Sequence, residues 1–337
     1  MKKILFATTA LVASAGIASA QDLGVALTGN AEMGIFGGSN FDDPITGFDE
    51  GSAQFFTDLD VTFTMSGVAD NGLTFGANID LDEGGDGARF ESPEDQGGEV
   101  IFVSFGGATL TMGDTDGAYD ARIAEMALAG GSLNDDETEH AGFDSQGGFP
   151  ESLDGAGGDG QIARFDYTFN TFTFSVSMEQ ETAALGTVAG NDAVFGVGVS
   201  YDAELAGLAL GVGLGYQKQE NVGNALGLSL TSEFSNGVSA GLTFSRFDFD
   251  AAGAENQTHA GIGLGYSMGN IAVGINYGKF QNRAGIKDFD QDGVGLAATY
   301  DLGGGLSARF GYGKSNFDFG GAKADNDRYS AGLRMNF

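Results

Sequence analysis

The chain has no cysteine, three prolines, two histidines, and only 15 basic residues against 47 acidic ones. Without cysteine, an exported protein has neither a disulfide framework nor a thiolate metal site, so backbone pairing and packing must hold it together. Three prolines beside 59 glycines fit strands and tight turns better than a disordered linker, because disorder is usually proline-rich as well. A formal charge of −32 argues against a nucleic-acid partner, since phosphate binding needs a basic surface. Beyond residue 20 no stretch is continuously apolar over the ~20 residues that a membrane helix needs. With a mean hydropathy of −0.06, a chain that crosses a membrane must do so with alternating strands.

Residues 1–20 form the one apolar run. Lys2 and Lys3 precede an apolar stretch from Ile4 to Ile17, and the small residues Ala18-Ser19-Ala20 follow. This is the pattern of a secretory signal peptide with cleavage before Gln21, which leaves 21–337 as the mature chain. Removing the two lysines takes the net charge from −32 to −34.

From Leu73 to Leu81 the apolar residues Leu73, Phe75, Ala77, Ile79 and Leu81 alternate with polar ones, which gives a strand one apolar and one polar face. Comparable alternation recurs sixteen times, from Val25–Ile35 to Tyr329–Phe337. Even joints such as Gly106-Gly107, Asn170 and Gly269-Asn270 are tight. Odd joints are long and acidic, at about 36–53, 83–98, 114–160, 180–192, 219–223, 248–257, 281–291 and 315–327. Long loops on one rim and short turns on the other predict an all-β fold: a sixteen-stranded antiparallel transmembrane β-barrel. Aromatics sort accordingly. Phe169, Tyr201, Phe234, Tyr266, Tyr300 and Phe337 lie at the short-turn ends, and Tyr216, Phe244, Tyr277 and Tyr312 at the loop ends, making two girdles. Eight of the nine tyrosines follow residue 160, so strands one to five, with the last strand, are the expected oligomer interface.

Three motifs invite other readings. Gly237-Val238-Ser239-Ala240-Gly241 matches a hydrolase elbow but opens a strand where the elbow needs a strand, a turn and a helix. A hydrolytic triad would need His140 or His259, the only histidines, beside a serine, and nothing local supports that. Asp288, Asp290 and Asp292 match the first half of a calcium loop, with Thr299 where its closing glutamate would stand.

The last strand, Tyr329 to Phe337, resembles the carboxy-terminal strand of Gram-negative porins. Gly24 to Gly38, Gly113-Asp114-Thr115-Asp116 and Ala163-Arg164-Phe165-Asp166-Tyr167 resemble the trimeric general porins of alphaproteobacteria such as Rhodobacter. The resemblance implies a homotrimer in the outer membrane, in contact with lipid and lipopolysaccharide and inserted by the barrel-assembly machinery through the Phe337 strand. It also makes calcium at the acidic loops an expectation, with no cofactor required. It further implies that the third loop, 114–160, folds into the lumen as a constriction.

That loop carries Asp114, Asp116, Glu125, Asp135, Asp136, Glu137, Glu139 and Asp144. By strand parity the wall turns Arg164, Arg309 and Arg334 inward together with Glu32, Asp58, Asp60 and Asp80. A lumen so acidic should prefer cations. The inner faces of the ninth and twelfth strands are nearly all small, with Gly211, Gly213 and Gly215, then Gly261, Gly263 and Gly265. Either the third loop packs there or the lumen is wider there. The expected function is passive diffusion of small hydrophilic solutes and ions. The alternatives are a barrel enzyme of lipase or protease type, which needs a nucleophile beside a base, and a secreted acidic adhesin, which as a solenoid needs a fixed repeat that these segments lack.

Overall fold

The computed structural model describes residues 24–39, 53–84, 98–135, 137–146, 153, 161–180 and 193–337, with backbone alone at 82–84. The expected leader 1–20, the acidic stretch 42–50, Asp136, Glu151 and Asp154 lie outside the described residues. Sixteen strands are present: β1 Gly24–Gly38, β2 Gln54–Val68, β3 Thr74–Gly84, β4 Val100–Phe105, β5 Ala108–Gly113, β6 Gln161–Phe169, β7 Phe172–Gln180 and β8 Val194–Leu205. They continue as β9 Leu208–Gln219, β10 Gly223–Phe234, β11 Val238–Phe249, β12 Gln257–Met268, β13 Ile271–Gln281, β14 Phe289–Gly303, β15 Leu306–Phe319 and β16 Ala322–Asn336.

Each strand pairs antiparallel with its neighbour in sequence, and β1 closes on β16. The closing ladder sets Asn30 opposite Asn336 and Glu32 opposite Arg334, and the Phe337 N–H donates to the Gly29 carbonyl at 2.9 Å. Closure leaves no strand edge to recruit another chain or to sit unsatisfied in lipid. The two-residue joint Gly106-Gly107 has φ of +59° and +88°. This is the left-handed pair that a hairpin matched to strand twist requires, and glycine takes it without penalty.

The odd joints of the second half are shorter than the alternation predicts. The structure connects β9 to β10 through 220–222, β11 to β12 through 250–256, β13 to β14 through 282–288, and β15 to β16 through 320–321 alone. Apolar alternation stops where the lipid stops, but the ladder does not. Above the membrane both faces meet water, and polar pairs such as Lys314 opposite Asp327 carry the hairpin onward.

The two faces follow parity. Outward residues such as Phe63, Ile101, Leu214, Leu242, Leu264 and Ile275 are exposed, while inward residues are small or polar. β4 and β5 have six residues each, against eleven to fifteen for β9 to β16. Two buried apolar clusters join the third loop to the wall. One cluster holds Tyr119, Ile123, Leu153, Val194, Ala225 and Phe247, and a second holds Phe36, Phe56 and Leu133.

Candidate pore constriction

The third loop leaves β5 at Gly113 and turns into the barrel. Asp114 fastens its root, with its N–H on the Glu99 carbonyl at 3.0 Å and its carboxylate accepting the Gly98 N–H at 3.0 Å. From there the chain runs along the inside of the wall from β7 to β16 and onto β1. The wall hydroxyls hold its backbone. Ser177 accepts the Ala118 N–H at 2.8 Å, Ser229 that of Ala124 at 2.9 Å, and Ser315 that of Ala141 at 2.9 Å.

Glycine is what permits this approach. A Cβ at Gly213 would overlap the Arg122 carbonyl, one at Gly263 the Met126 carbonyl, and one at Gly274 the Ala129 carbonyl. Gly278 meets Gly142, Gly311 meets Ser132 and Glu137, and Gly34 and Gly332 together receive Leu133. Of the two readings open in the sequence, the loop against the wall is the one the structure shows, on strands well beyond the ninth and twelfth.

Acidic side chains anchor the two ends of this run. Asp166 of β6 takes Arg164 Nε at 3.0 Å and the Ser175 hydroxyl at 2.6 Å, with Arg122 of the loop 3.9 Å away. Arg164 in turn donates to the Asp116 carbonyl at 2.5 Å. Farther along, Glu32 of β1 accepts Arg334 Nη1 at 2.9 Å and the Asn134 N–H at 2.6 Å, with Arg309 Nη1 3.3 Å away. Arg309 also donates to the Ser132 carbonyl at 2.9 Å and lies 3.4 Å from Asp135. The three wall arginines therefore each have a carboxylate beside them on the wall.

The loop acids divide into two sets. Glu137 is buried against Gly311 and Gly313, and burial raises its pKa. Asp144 is buried too, with His259 Nδ1 at 3.1 Å and the Ser245 hydroxyl donating to it at 2.6 Å. Glu125, Asp135 and Glu139 are exposed. Glu125 meets lumen water but is ringed by the barrel. That enclosure first, then repulsion by Glu139, Asp144, Asp116 and Asp135, pushes its carboxyl up to about 8. On the wall, Asp58 is buried opposite Glu32, while Asp60 and Asp80 stay partly open to the lumen, Asp80 accepting the Thr62 hydroxyl at 2.8 Å.

The remaining motifs are absorbed by the same seam or by the rim. His140 hydrogen-bonds Asn276 at 2.6 Å, and burial lowers its pKa to about 4. Ser245, Asp144 and His259 do meet, but the serine donates to the aspartate, and His259 Nε2 faces the Gly142 carbonyl at 3.0 Å. No imidazole is thus placed to activate that serine. At the rim, Asp290 takes Lys279 at 2.9 Å and Asp292 takes the Asn316 amide at 2.9 Å, while Asp288 sits in the preceding turn. Asp290 and Asp292 turn to separate protein donors, so the three do not fit a calcium ligand set. Among the described residues no three metal-binding side chains converge.

A closed barrel, apolar outside, polar inside and narrowed by its own third loop, defines a passive transmembrane channel. The comparisons agree. Residues 7–320 match the family described as Gram-negative porin. A porin of Rhodobacter capsulatus is 28% identical over 312 residues, covering 84% of this chain and 91% of that protein. A mutant of the Rh. blastica porin superposes with a TM-score of 0.63 at 17% identity, over 93% of this chain and all of that one. A porin refined at 1.8 Å superposes with a TM-score of 0.62 at 21% identity, over the same shares. The chain belongs to the Gram-negative porin family, and it is a general diffusion porin of the outer membrane, a channel and not an enzyme.

Proposed function

We propose that this porin prefers cations and works as a homotrimer. The observation that carries the preference is the unequal placement of charge around the lumen. Arg164, Arg309 and Arg334 lie low on the wall beside Asp166 and Glu32, with side-chain exposures of 9%, 16% and 24%. Among the described residues Asp135 and Glu139 of the loop are exposed, as is Glu125, which gains its charge only as pH rises through about 8, while Asp60 and Asp80 are half-buried, as are Arg309, Arg328 and Arg334. A low-dielectric wall focuses that field and raises the local cation concentration. The test is a salt-gradient reversal potential for the wild type and for Asp60→Asn with Asp80→Asn. The double variant should lose part of a cation preference that the wild type shows; identical potentials in both would reject the assignment.

The trimer rests on wall height. Six residues span about 20 Å along a strand, and about 14 Å of height at a 45° tilt. β4 and β5 therefore fall short of the ~25 Å apolar band that lipid requires. Outward Ile101, Val103 and Phe105 need protein to cover the rest, and Val25, Leu27, Phe55 and Leu59 extend that apolar surface without a tyrosine. Cysteine crosslinks between Leu27 and Ile101 variants in the membrane should capture trimers, whereas monomers alone would refute it. The exposed Phe337 is the proposed signal for the barrel-assembly machinery.

A further inference from the structure

The outward faces of β9, β11, β13 and β15 each carry a cation two residues beyond the loop-end girdle aromatic: Tyr216 then Lys218, Phe244 then Arg246, Tyr277 then Lys279, Tyr312 then Lys314. The spacing is more than a sequence coincidence. Lys218 pairs through Asn224 to Asp248, which stands two residues past Arg246. Arg246 pairs through Thr258 to Gln281, two past Lys279, and Lys279 through Asp292 to Asn316, two past Lys314. The same two-residue step, taken three times, is the stagger that holds a feature at constant height on tilted strands. The four cations therefore form a level arc just above the aromatic girdle, where headgroups lie.

The arc is selective in place and in residue type. Every lysine beyond residue 3 lies in β9 or later, whereas Arg122, Arg164, Arg309 and Arg334 serve the lumen. Among the described residues β1 to β8 present no outward cation, and this is the side with the short strands and no loop-end tyrosine. Lys218 and Arg246 are exposed, and Arg246, Lys279 and Lys314 have side-chain exposures of 46%, 38% and 47%. Three of the cations are oriented by carboxylates on the side away from the membrane: Arg246 by Asp248 at 2.7 Å, Lys279 by Asp290 at 2.9 Å and Lys314 by Asp325 at 3.4 Å. Asp248 takes only the Nε of Arg246, and an ammonium has three donors, so membrane-side donors remain. Exposed pairs of this kind hold weakly and do not bar a second anion.

We propose that this arc binds the phosphate groups of outer-leaflet glycolipid on the lipid-facing half of the barrel, a site that rests on the outer-membrane porin reading. The occupant is fixed by charge and height: a doubly phosphorylated headgroup meets cations level with it in a chain that is otherwise strongly acidic. Cations serving only to reach the interface with their stems would not distinguish phosphorylated from dephosphorylated lipid.

Delipidated protein is incubated with bisphosphorylated lipid A, or with the same glycolipid stripped of phosphate, and retained lipid is counted by native mass spectrometry. The wild type should retain the phosphorylated form about fivefold or more over the stripped form. Joint replacement of Lys218, Arg246, Lys279 and Lys314 by glutamine should remove that preference, and Lys→Arg replacement at the three lysines should keep it. Pairwise variants, Lys218→Gln with Arg246→Gln and Lys279→Gln with Lys314→Gln, should each lower it, which guards against misfolding of the fourfold variant. Equal retention of the two lipids by the wild type, or an unchanged preference in the glutamine variants, overturns the site. Conductance of the same variants should be unaltered, because the arc lies outside the pore. A failed lipid test with intact channels therefore leaves the porin reading standing.

Discussion

Glu32 and Arg334 face each other at 2.9 Å across the ladder where β1 closes on β16. The same carboxylate accepts the Asn134 N–H at 2.6 Å, so the closure of the barrel and the docking of its constriction loop share one side chain. With 1% of its side chain exposed, Glu32 is a buried partner. Removing one member of such a pair costs about 3–5 kcal/mol, because the other charge is left uncompensated. Glu32→Gln should lower the thermal unfolding midpoint and shift the reversal potential toward chloride, since Arg309 and Arg334 then add net positive charge to the lumen. Unchanged values for both would show that the pair neither anchors nor neutralises.

The glycines under the loop give a second prediction. Gly263→Ala places a methyl where the Met126 carbonyl lies, while Gly24→Ala meets nothing within 4 Å. Overpacking of this kind costs about 1–3 kcal/mol. The Gly263 variant should displace the loop and change the swelling rates of liposomes in sugars of graded size, with Gly24→Ala as the matched control. Equal rates for the two variants would mean that the wall tolerates side chains there.

Glu125 sets a pH dependence. A carboxyl raised to about 8 is largely protonated at neutral pH and gains its charge as pH rises through that value. Cation preference should therefore increase between pH 7 and 9, and Glu125→Gln should flatten the profile. Reversal potentials at a series of pH values measure it, and a slope that survives the substitution would assign the effect to another group.

His140 works in the opposite range. Its pKa, lowered to about 4 by burial, with Arg328 and His259 adding repulsion, means that the docked loop favours the neutral imidazole. That contribution is complete above the ordinary value near 6.5 and is lost as pH falls toward about 4. Limited proteolysis should cut the loop faster at pH 4 than at pH 7, and His140→Gln should remove the difference.

Much of the barrel was legible because side-chain parity writes itself into sequence wherever lipid lies on one side. Phe75, Ile79, Val197 and Leu264 alternate because they must. Strand ends above the membrane were not legible, since no apolar face marks them, and so 315–327 reads as a loop when it is mostly hairpin. The pairing of Arg309 and Arg334 with Glu32 depends on the first strand meeting the last, some three hundred residues apart, and no local pattern records it. The same holds for Glu137 and Asp144, which composition counts with the exposed loop acids while the structure buries them in the seam. The outward cations were written plainly, two residues after each loop-end aromatic. They become visible only when girdle and register are taken together.

The most direct test of the whole account is the zero-current potential of wild-type channels in a planar bilayer under a tenfold potassium chloride gradient at pH 7.5. The account predicts ohmic steps and a potential whose sign shows potassium outrunning chloride. A chloride-selective potential, or the absence of channels from folded protein, would contradict it.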